Sequence, residues 1–140
     1  MRYQIEIYNQ DKYLEVAKFL EKNEWRDIPP PSFLRDFGLI CRDIKLHKIV
    51  GFVHAMMSFS DMAFVTYWAT DKIVRNNKLR GNRVFYLLLI SLEAGLKGAG
   101  KRGYIGLVEK DNDLAQKIYT RHGGVKWGTG DFYRKEISYV

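Results

Sequence analysis

Residues 112–124 read Asn112-Asp113-Leu114-Ala115-Gln116-Lys117-Ile118-Tyr119-Thr120-Arg121-His122-Gly123-Gly124. Asn112 is suited to cap a helix, because its side-chain oxygen can accept from the first free N–H groups. Leu114, Ala115, Ile118 and Tyr119 then recur at helical spacing. Ala115 admits close packing, and Tyr119, one turn beyond, shares its face. Gly123 supplies the left-handed stop. Just upstream, Tyr104 to Val108 (YIGLV) is a short apolar strand of the buried, parallel kind. A buried strand therefore feeds directly into an amphipathic helix.

Upstream of that pair, Val84 to about Leu96 is a second helix. Val84, Leu88, Leu92 and Leu96 line one stripe, Leu87, Leu89 and Ile90 widen it, and Gly98 and Gly100 end it. Residues 75–83 (RNNKLRGNR) are too polar for a core element and read as a loop. Three strands precede them. Leu39 to Ile44 and Ile49 to Phe59 form a hairpin about Lys45-Leu46-His47-Lys48, and Ala63 to Thr70 follows, with an end left open as far as Val74. Nearer the start, residues 2–8 read as a strand, and Asp11 is placed to cap a helix over about 12–23. Ile28-Pro29-Pro30-Pro31 is a rigid loop, and Ser32 to Phe37 a short helix closed by Gly38. Downstream, Val125-Lys126-Trp127 and Phe132 to Ile137 pair about Gly128-Thr129-Gly130. The order is β-α-α-β-β-β-α-β-α-β-β. It is an α/β (α+β) chain, one domain over 1–140, with a mixed central sheet flanked by helices.

The 140 residues suit one domain, and the single cysteine, Cys41, excludes an internal disulfide framework. No stretch approaches the roughly 20 apolar residues of a membrane span. The first residues alternate polar and apolar, unlike a signal peptide, so a cytoplasmic location without a membrane partner is expected. The net charge of +7 is concentrated. Residues 72–102 hold eight basic residues (Lys72, Arg75, Lys78, Arg80, Arg83, Lys97, Lys101, Arg102) against Glu93 alone, and the rest of the chain balances. An anionic partner is implied there.

The element order and the 112–124 stretch together resemble the GNAT superfamily of N-acetyltransferases over nearly the whole chain. The stretch looks like that family's N-x-x-A-x-x-x-Y-x-x-x-G-F, with Gly124 in place of the phenylalanine. A second pattern is the family's phosphate loop, Q/R-x-x-G-x-G/A, between the fourth strand and the long helix. It is aligned here on Arg80-Gly81-Asn82-Arg83-Val84-Phe85, so Arg83 and Phe85 stand where the motif has glycines. A helix N-terminus holds a pyrophosphate through free N–H groups and its dipole. Arg83 would add a guanidinium as a further phosphate ligand.

The resemblance implies acetyl-CoA as co-substrate, no metal, and direct transfer of acetyl to an amine on a small molecule or peptide. It implies that Tyr119 protonates the leaving thiolate. It also implies that Ile73, Val74 and Arg75, at the end of the fourth strand, supply backbone donors. Arg80, Gly81, Asn82, Arg83, Val84, Phe85 and Asn112 complete the cofactor site, with Lys117 or Arg121 in reach of the 3′-phosphate. Lys97, Lys101 and Arg102 read as solvated. The general base is open between Asp71, Glu109 and a water chain. His47, His54, His122 and Cys41 are too scattered for a metal site, and His54 reads as a packed core histidine. Domains of this kind often dimerise, so a homodimer is admitted. Two other functions remain in view. One is a CoA-binding module with impaired catalysis, motivated by the missing glycines and the lack of a glutamate on the fourth strand. The other, ranked last for want of a motif, is a nucleic-acid binder using the basic segment.

Overall fold

The alternation of apolar residues along the three-strand meander decides how the chain layers. The computed structural model describes residues 1–57, 60–108, 113–126 and 128, and it divides into two compact units, Met1–Leu107 and Val108–Val140. In the first unit, β1 (Tyr3–Ile7), β2 (Phe37–Asp43), β3 (Lys48–Met56), β4 (Met62–Thr70) and β5 (Gly103–Gly106) form a sheet in that order. The β1–β2, β2–β3 and β3–β4 pairs are antiparallel, and β4–β5 is parallel, so the sheet is mixed as expected. Helix α3 (Lys78–Gly98) covers one face. Its Val84, Leu88, Leu92 and Leu96 join Cys41, Val53, Ala55 and Val65 in one core. Helix α1 (Tyr13–Lys22) covers the other, where Val16, Phe19 and Leu20 pack with Ile40, Phe52 and Ala69. Neighbours such as Phe52 and Val53 thus enter opposite cores, the period-2 pattern of a sheet buried on both faces. Each fully buried Leu or Phe stabilises the fold by roughly 1.5–3 kcal/mol. Gly51 sets the close approach: a Cβ there would lie 2.8 Å from Leu88 Cδ1 and 2.9 Å from Val84 Cγ1.

Several boundaries differ from the sequence reading. Residues 75–83 are mostly helical: α2 (Lys72–Asn76) follows β4 at once, and α3 starts at Lys78 rather than Val84. Accordingly β4 stops at Thr70 and does not run on to Val74. The short helix expected at 32–37 is a 3-10 turn over Pro31–Leu34, and Phe37 and Gly38 belong to β2. Gly38 is no helix stop: a Cβ there would meet Tyr8 Cβ at 2.9 Å. Asn9, not Asp11, caps the N-terminal helical segment, accepting from the Asp11 N–H at 3.1 Å and opening a 3-10 turn before α1. The third and fifth strands are shorter than read, ending at Met56 and Gly106.

In the second unit, α4 (Asp113–Arg121) forms where the helical spacing placed it. Gly123 takes φ 87°, and the Gly124 N–H returns to the Tyr119 carbonyl at 2.7 Å. A Cβ on Gly124 would stand 2.8 Å from that carbonyl oxygen, so a small residue is required there. Val125 and Lys126 lie in neither helix nor strand, and the expected strand at 132–137 is outside the described residues.

Candidate active site

The eight cations of residues 72–102 are sorted by the fold. Lys72 Nζ pairs with Glu24 at 3.1 Å. Lys97 and Arg102 are exposed, as expected, and Lys101 is half-buried; Lys101 Nζ donates to the Ser60 carbonyl at 2.8 Å, and Arg102 pairs with Asp61 at 3.1 Å while staying 80% exposed. Arg75, Lys78, Arg80 and Arg83 crowd the start of α3, all exposed and without an ion pair among the described residues. The Asn77 side chain caps this helix, accepting from the Arg80 N–H at 3.2 Å. The first turn, residues 78–80, carries the N–H groups that lie ahead of regular helical pairing. Four cations therefore surround the positive end of a helix dipole.

The segment that the resemblance reads as a phosphate loop is helix in this structure. Arg80, Gly81, Asn82, Arg83, Val84 and Phe85, read as the loop ahead of the helix, are within the first two turns of α3. At the observed N-terminus the spacing Q/R-x-x-G-x-G/A falls on Arg75-Asn76-Asn77-Lys78-Leu79-Arg80, with Lys78 and Arg80 at the glycine positions. Gly81 serves packing instead. A Cβ there would meet the Arg75 Cα at 3.1 Å and the Val74 carbonyl oxygen at 3.3 Å, so glycine lets α2 lie against α3.

Asp71, expected as a candidate base, and Ile73, Val74 and Arg75, expected as backbone donors, form the capped start of α2. Asp71 is 2% exposed and caps α2, its Oδ1 accepting from the Ile73 N–H at 3.0 Å and the Val74 N–H at 3.3 Å. The Arg75 N–H bonds the Asp71 carbonyl at 2.7 Å, and the Lys72 N–H bonds Asn23 Oδ1 at 2.8 Å. The backbone donors of Ile73, Val74 and Arg75 are thus engaged, and they sit in a helix, not at a strand end. Asp71→Asn keeps the Oδ1 acceptor and removes the charge, so turnover is expected to stay within about twofold. Asp71→Ala leaves two N–H groups without a cap and should lower stability by about 1–2 kcal/mol in a denaturant titration. Loss of turnover in a folded Asp71→Asn protein would restore the carboxylate as the base.

The last β4–β5 pair is Val65 with Gly106, and β4 runs five residues further. Among the described residues no strand lies on the β5 side of Thr66–Thr70. The carboxyl end of a parallel pair is where open α/β sheets hold ligands. The parting coincides with a β-bulge. His54 pairs with Tyr67 and Ala55 with Val65, leaving Thr66 as the extra residue. On the α3 side, Trp68 stacks on Phe85 with centroids 4.5 Å apart and planes at 13°. On the α1 side, Tyr67 meets Trp25 at 5.9 Å and 54°, forming an aromatic corner.

Burial pushes the Cys41 thiol up to about 12, which leaves it an inert core residue. Burial likewise pushes the Tyr119 hydroxyl up to about 12, so at neutral pH it keeps its proton and can donate. Lys117 and Arg121, one turn apart, are exposed on α4. Glu109 and Asn112 lie outside the described residues. Those residues contain no cluster of three metal-ligating side chains, and none of their helices is long and apolar enough to cross a membrane.

No family model matches the sequence, and no curated protein matches it. Solved structures do. The aminoglycoside acetyltransferase AAC(6')-Iy, in complex with the bisubstrate analogue CoA-S-monomethyl-acetylneamine, superposes with a TM-score of 0.74 at 15% identity, over 98% of this chain and 100% of that one. This chain has the GNAT fold. A second GNAT-fold match is an aminoglycoside acetyltransferase from an uncultured soil metagenomic sample, in complex with trehalose, at TM-score 0.71 and 14% identity, covering 96% and 97% of the two chains. A third is the ribosomal-protein-alanine N-acetyltransferase of Brucella melitensis biovar Abortus 2308, at TM-score 0.66 and 15% identity, covering 95% and 99%.

Proposed function

We propose that this chain is an acetyl-CoA-dependent N-acetyltransferase that moves acetyl directly to an amine. The observation that carries the reading is the cluster Arg75, Lys78, Arg80 and Arg83 at the N-terminus of α3, one short helix beyond the strand that parts from its parallel neighbour. Coenzyme A brings a pyrophosphate and a 3′-phosphate, together about −3.5 to −4 near neutral pH. Four cations that have no ion pair among the described residues, gathered at a helix N-terminus, suit such a group. Arg75 to Arg80 would hold the pyrophosphate. The longer side chains at the glycine positions exchange close backbone approach for direct charge. The edge of β4 past Val65 would line the thioester arm and supply the donor for the tetrahedral oxyanion.

The acceptor must lose a proton before it attacks, since an alkyl ammonium has a pKa near 10. With the Asp71 carboxylate held as a cap, Glu109 or a water chain is the proposed route for that proton. Tyr119 is the proposed acid for the leaving thiolate, and the half-buried Trp25–Tyr67 corner suits an approaching ammonium through its ring faces. The structural neighbours complexed with aminoglycoside-type ligands support a small-molecule amine as the acceptor class.

The test has two parts. Acetyl-CoA at millimolar concentration should raise the melting temperature, and a panel of amines should release free CoA thiol from acetyl-CoA. Tyr119→Phe is expected to slow turnover about 10²-fold while leaving acetyl-CoA affinity unchanged. No stabilisation by acetyl-CoA would sink the proposal. Stabilisation without transfer to any amine would favour the non-catalytic CoA-binding module that Lys78 and Arg80, standing at the glycine positions, also suit.

A further inference from the structure

His54 is a polar residue where β3 otherwise offers Ile49, Val50, Gly51, Phe52, Val53 and Ala55 to the core. It is fully buried, at 0% exposure. Its Nδ1 lies 2.7 Å from Thr66 Oγ1. The same hydroxyl donates to the His54 carbonyl oxygen at 3.2 Å. A threonine hydroxyl has one proton, so with that proton on the carbonyl it must accept at Nδ1. Nδ1 therefore carries the imidazole proton, and Nε2 is left as a bare acceptor. Nε2 has no partner among the described residues. A buried polar atom without a partner costs about 1–3 kcal/mol, and an apolar side chain at 54 would avoid that.

Thr66 is also the residue that the β3–β4 register leaves unpaired. It directly follows Val65, the last β4 residue paired with β5. The extra residue decides which way the rest of β4 faces. With it, Tyr67 turns to Trp25 on the α1 side and Trp68 to Phe85 on the α3 side. If the bulge relaxed, β4 past Val65 would slip by one residue. The two aromatics would exchange faces, and so would the backbone groups open on the β5 side.

We propose that His54 is a positioning residue. It clasps the bulged Thr66 at two points and thereby fixes the face of β4 presented where that strand parts from β5. The role in turnover rests on the acetyltransferase reading; the clasp itself does not. Burial holds His54 neutral, down to about 4, which suits a fixed hydrogen-bonding strut rather than a base for an ammonium.

Thr66→Val removes both hydrogen bonds at nearly constant shape, and Thr66→Ser keeps them. In Thr66→Val, kcat should fall about 10–100-fold while the KM for acetyl-CoA changes less than about threefold, since the start of α3 is untouched. Thr66→Ser should stay within about twofold of wild type. Nitrogen-15 NMR of the imidazole in the wild-type chain should show the Nδ1–H tautomer, and Thr66→Ser should retain it. A folded Thr66→Val protein with wild-type kcat, or a wild-type imidazole protonated at Nε2, would overturn the proposal. Should Thr66→Val not fold, the tautomer in wild type and in Thr66→Ser decides the clasp alone. A wild-type chain that shows the Nδ1–H tautomer but neither binds nor uses acetyl-CoA would leave the clasp standing and remove the enzyme reading.

Discussion

Changing Arg75, Lys78 and Arg80 together to glutamine is expected to weaken acetyl-CoA binding about 10³-fold, read by calorimetry or by the ligand-induced rise in melting temperature. The three side chains are exposed and lack ion pairs among the described residues, so no internal partner loses its charge when they change. Buried charge-assisted hydrogen bonds to phosphate contribute about 1.5–3 kcal/mol each; exposure and screening bring these toward the lower end. At about 1.4 kcal/mol per contact each is a factor of ten. Wild-type affinity should fall steeply between about 0.05 M and 0.5 M salt, while the variant's residual affinity should barely respond. The unliganded variant should be no less stable than wild type, because removing crowded cations from the positive end of a helix relieves repulsion. Lys101→Gln with Arg102→Gln is the control. Those side chains bind Ser60 and Asp61, so the pair of changes should leave acetyl-CoA affinity unaltered. Equal loss in the control would mean general electrostatic attraction, and an unchanged triple variant would mean the cofactor sits elsewhere.

What could be read from the residues, and what could not, follows from which side of the core each element faces. The strands of the meander and the stripe Val84, Leu88, Leu92, Leu96 were legible because burial writes a period into the sequence. The first turns of α3 were not. Lys78, Leu79, Arg80 and Arg83 are exposed, Leu79 at 83%, and a solvated turn needs no apolar period. Its signal was the pair of caps: the Asp71 side chain accepts from the Ile73 and Val74 N–H groups, and the Asn77 side chain from the Arg80 N–H. Without those caps the start of α3 reads as a loop, and Gly81, which serves the contact between α2 and α3, draws the phosphate-loop pattern onto Arg80–Phe85. The bulge at Thr66 left no mark either. One extra residue in AFVTYWAT keeps the run apolar, and only the β3–β4 register reveals it. In the same way, His54 was legible as a core histidine but not as the partner of Thr66, because that pairing joins residues twelve apart across two strands.

The buried imidazole also makes a prediction about acid. Burial lowers His54 from an ordinary 6.5 to about 4, with Asp36 opposing it, so the folded chain binds fewer protons than the unfolded chain between those values. Stability therefore rises with pH across that window. It is fully present above about pH 6.5 and is lost as pH falls toward 4. A tenfold difference in proton affinity between the folded and unfolded chain corresponds to about 1.4 kcal/mol, so the loss is at most about 3 kcal/mol. The carboxylates act in a lower window. The Arg42 guanidinium, against a smaller opposing effect of burial, holds Glu6 below the usual carboxylate range. Asp43 is raised by burial but lowered further by the Leu46 N–H and Arg2. Glu6 therefore loses its contribution only as the pH falls below its ordinary 4.5, and Asp43 below its ordinary 3.8. Urea titrations at pH 7, 5.5 and 4.5 should show most of the wild-type decline before the carboxylates begin to protonate. His54→Asn, whose amide can still donate to Thr66, should flatten the curve between pH 7 and 4.5 while keeping the drop below 4. A decline of wild-type size in that variant would place the titrating group elsewhere.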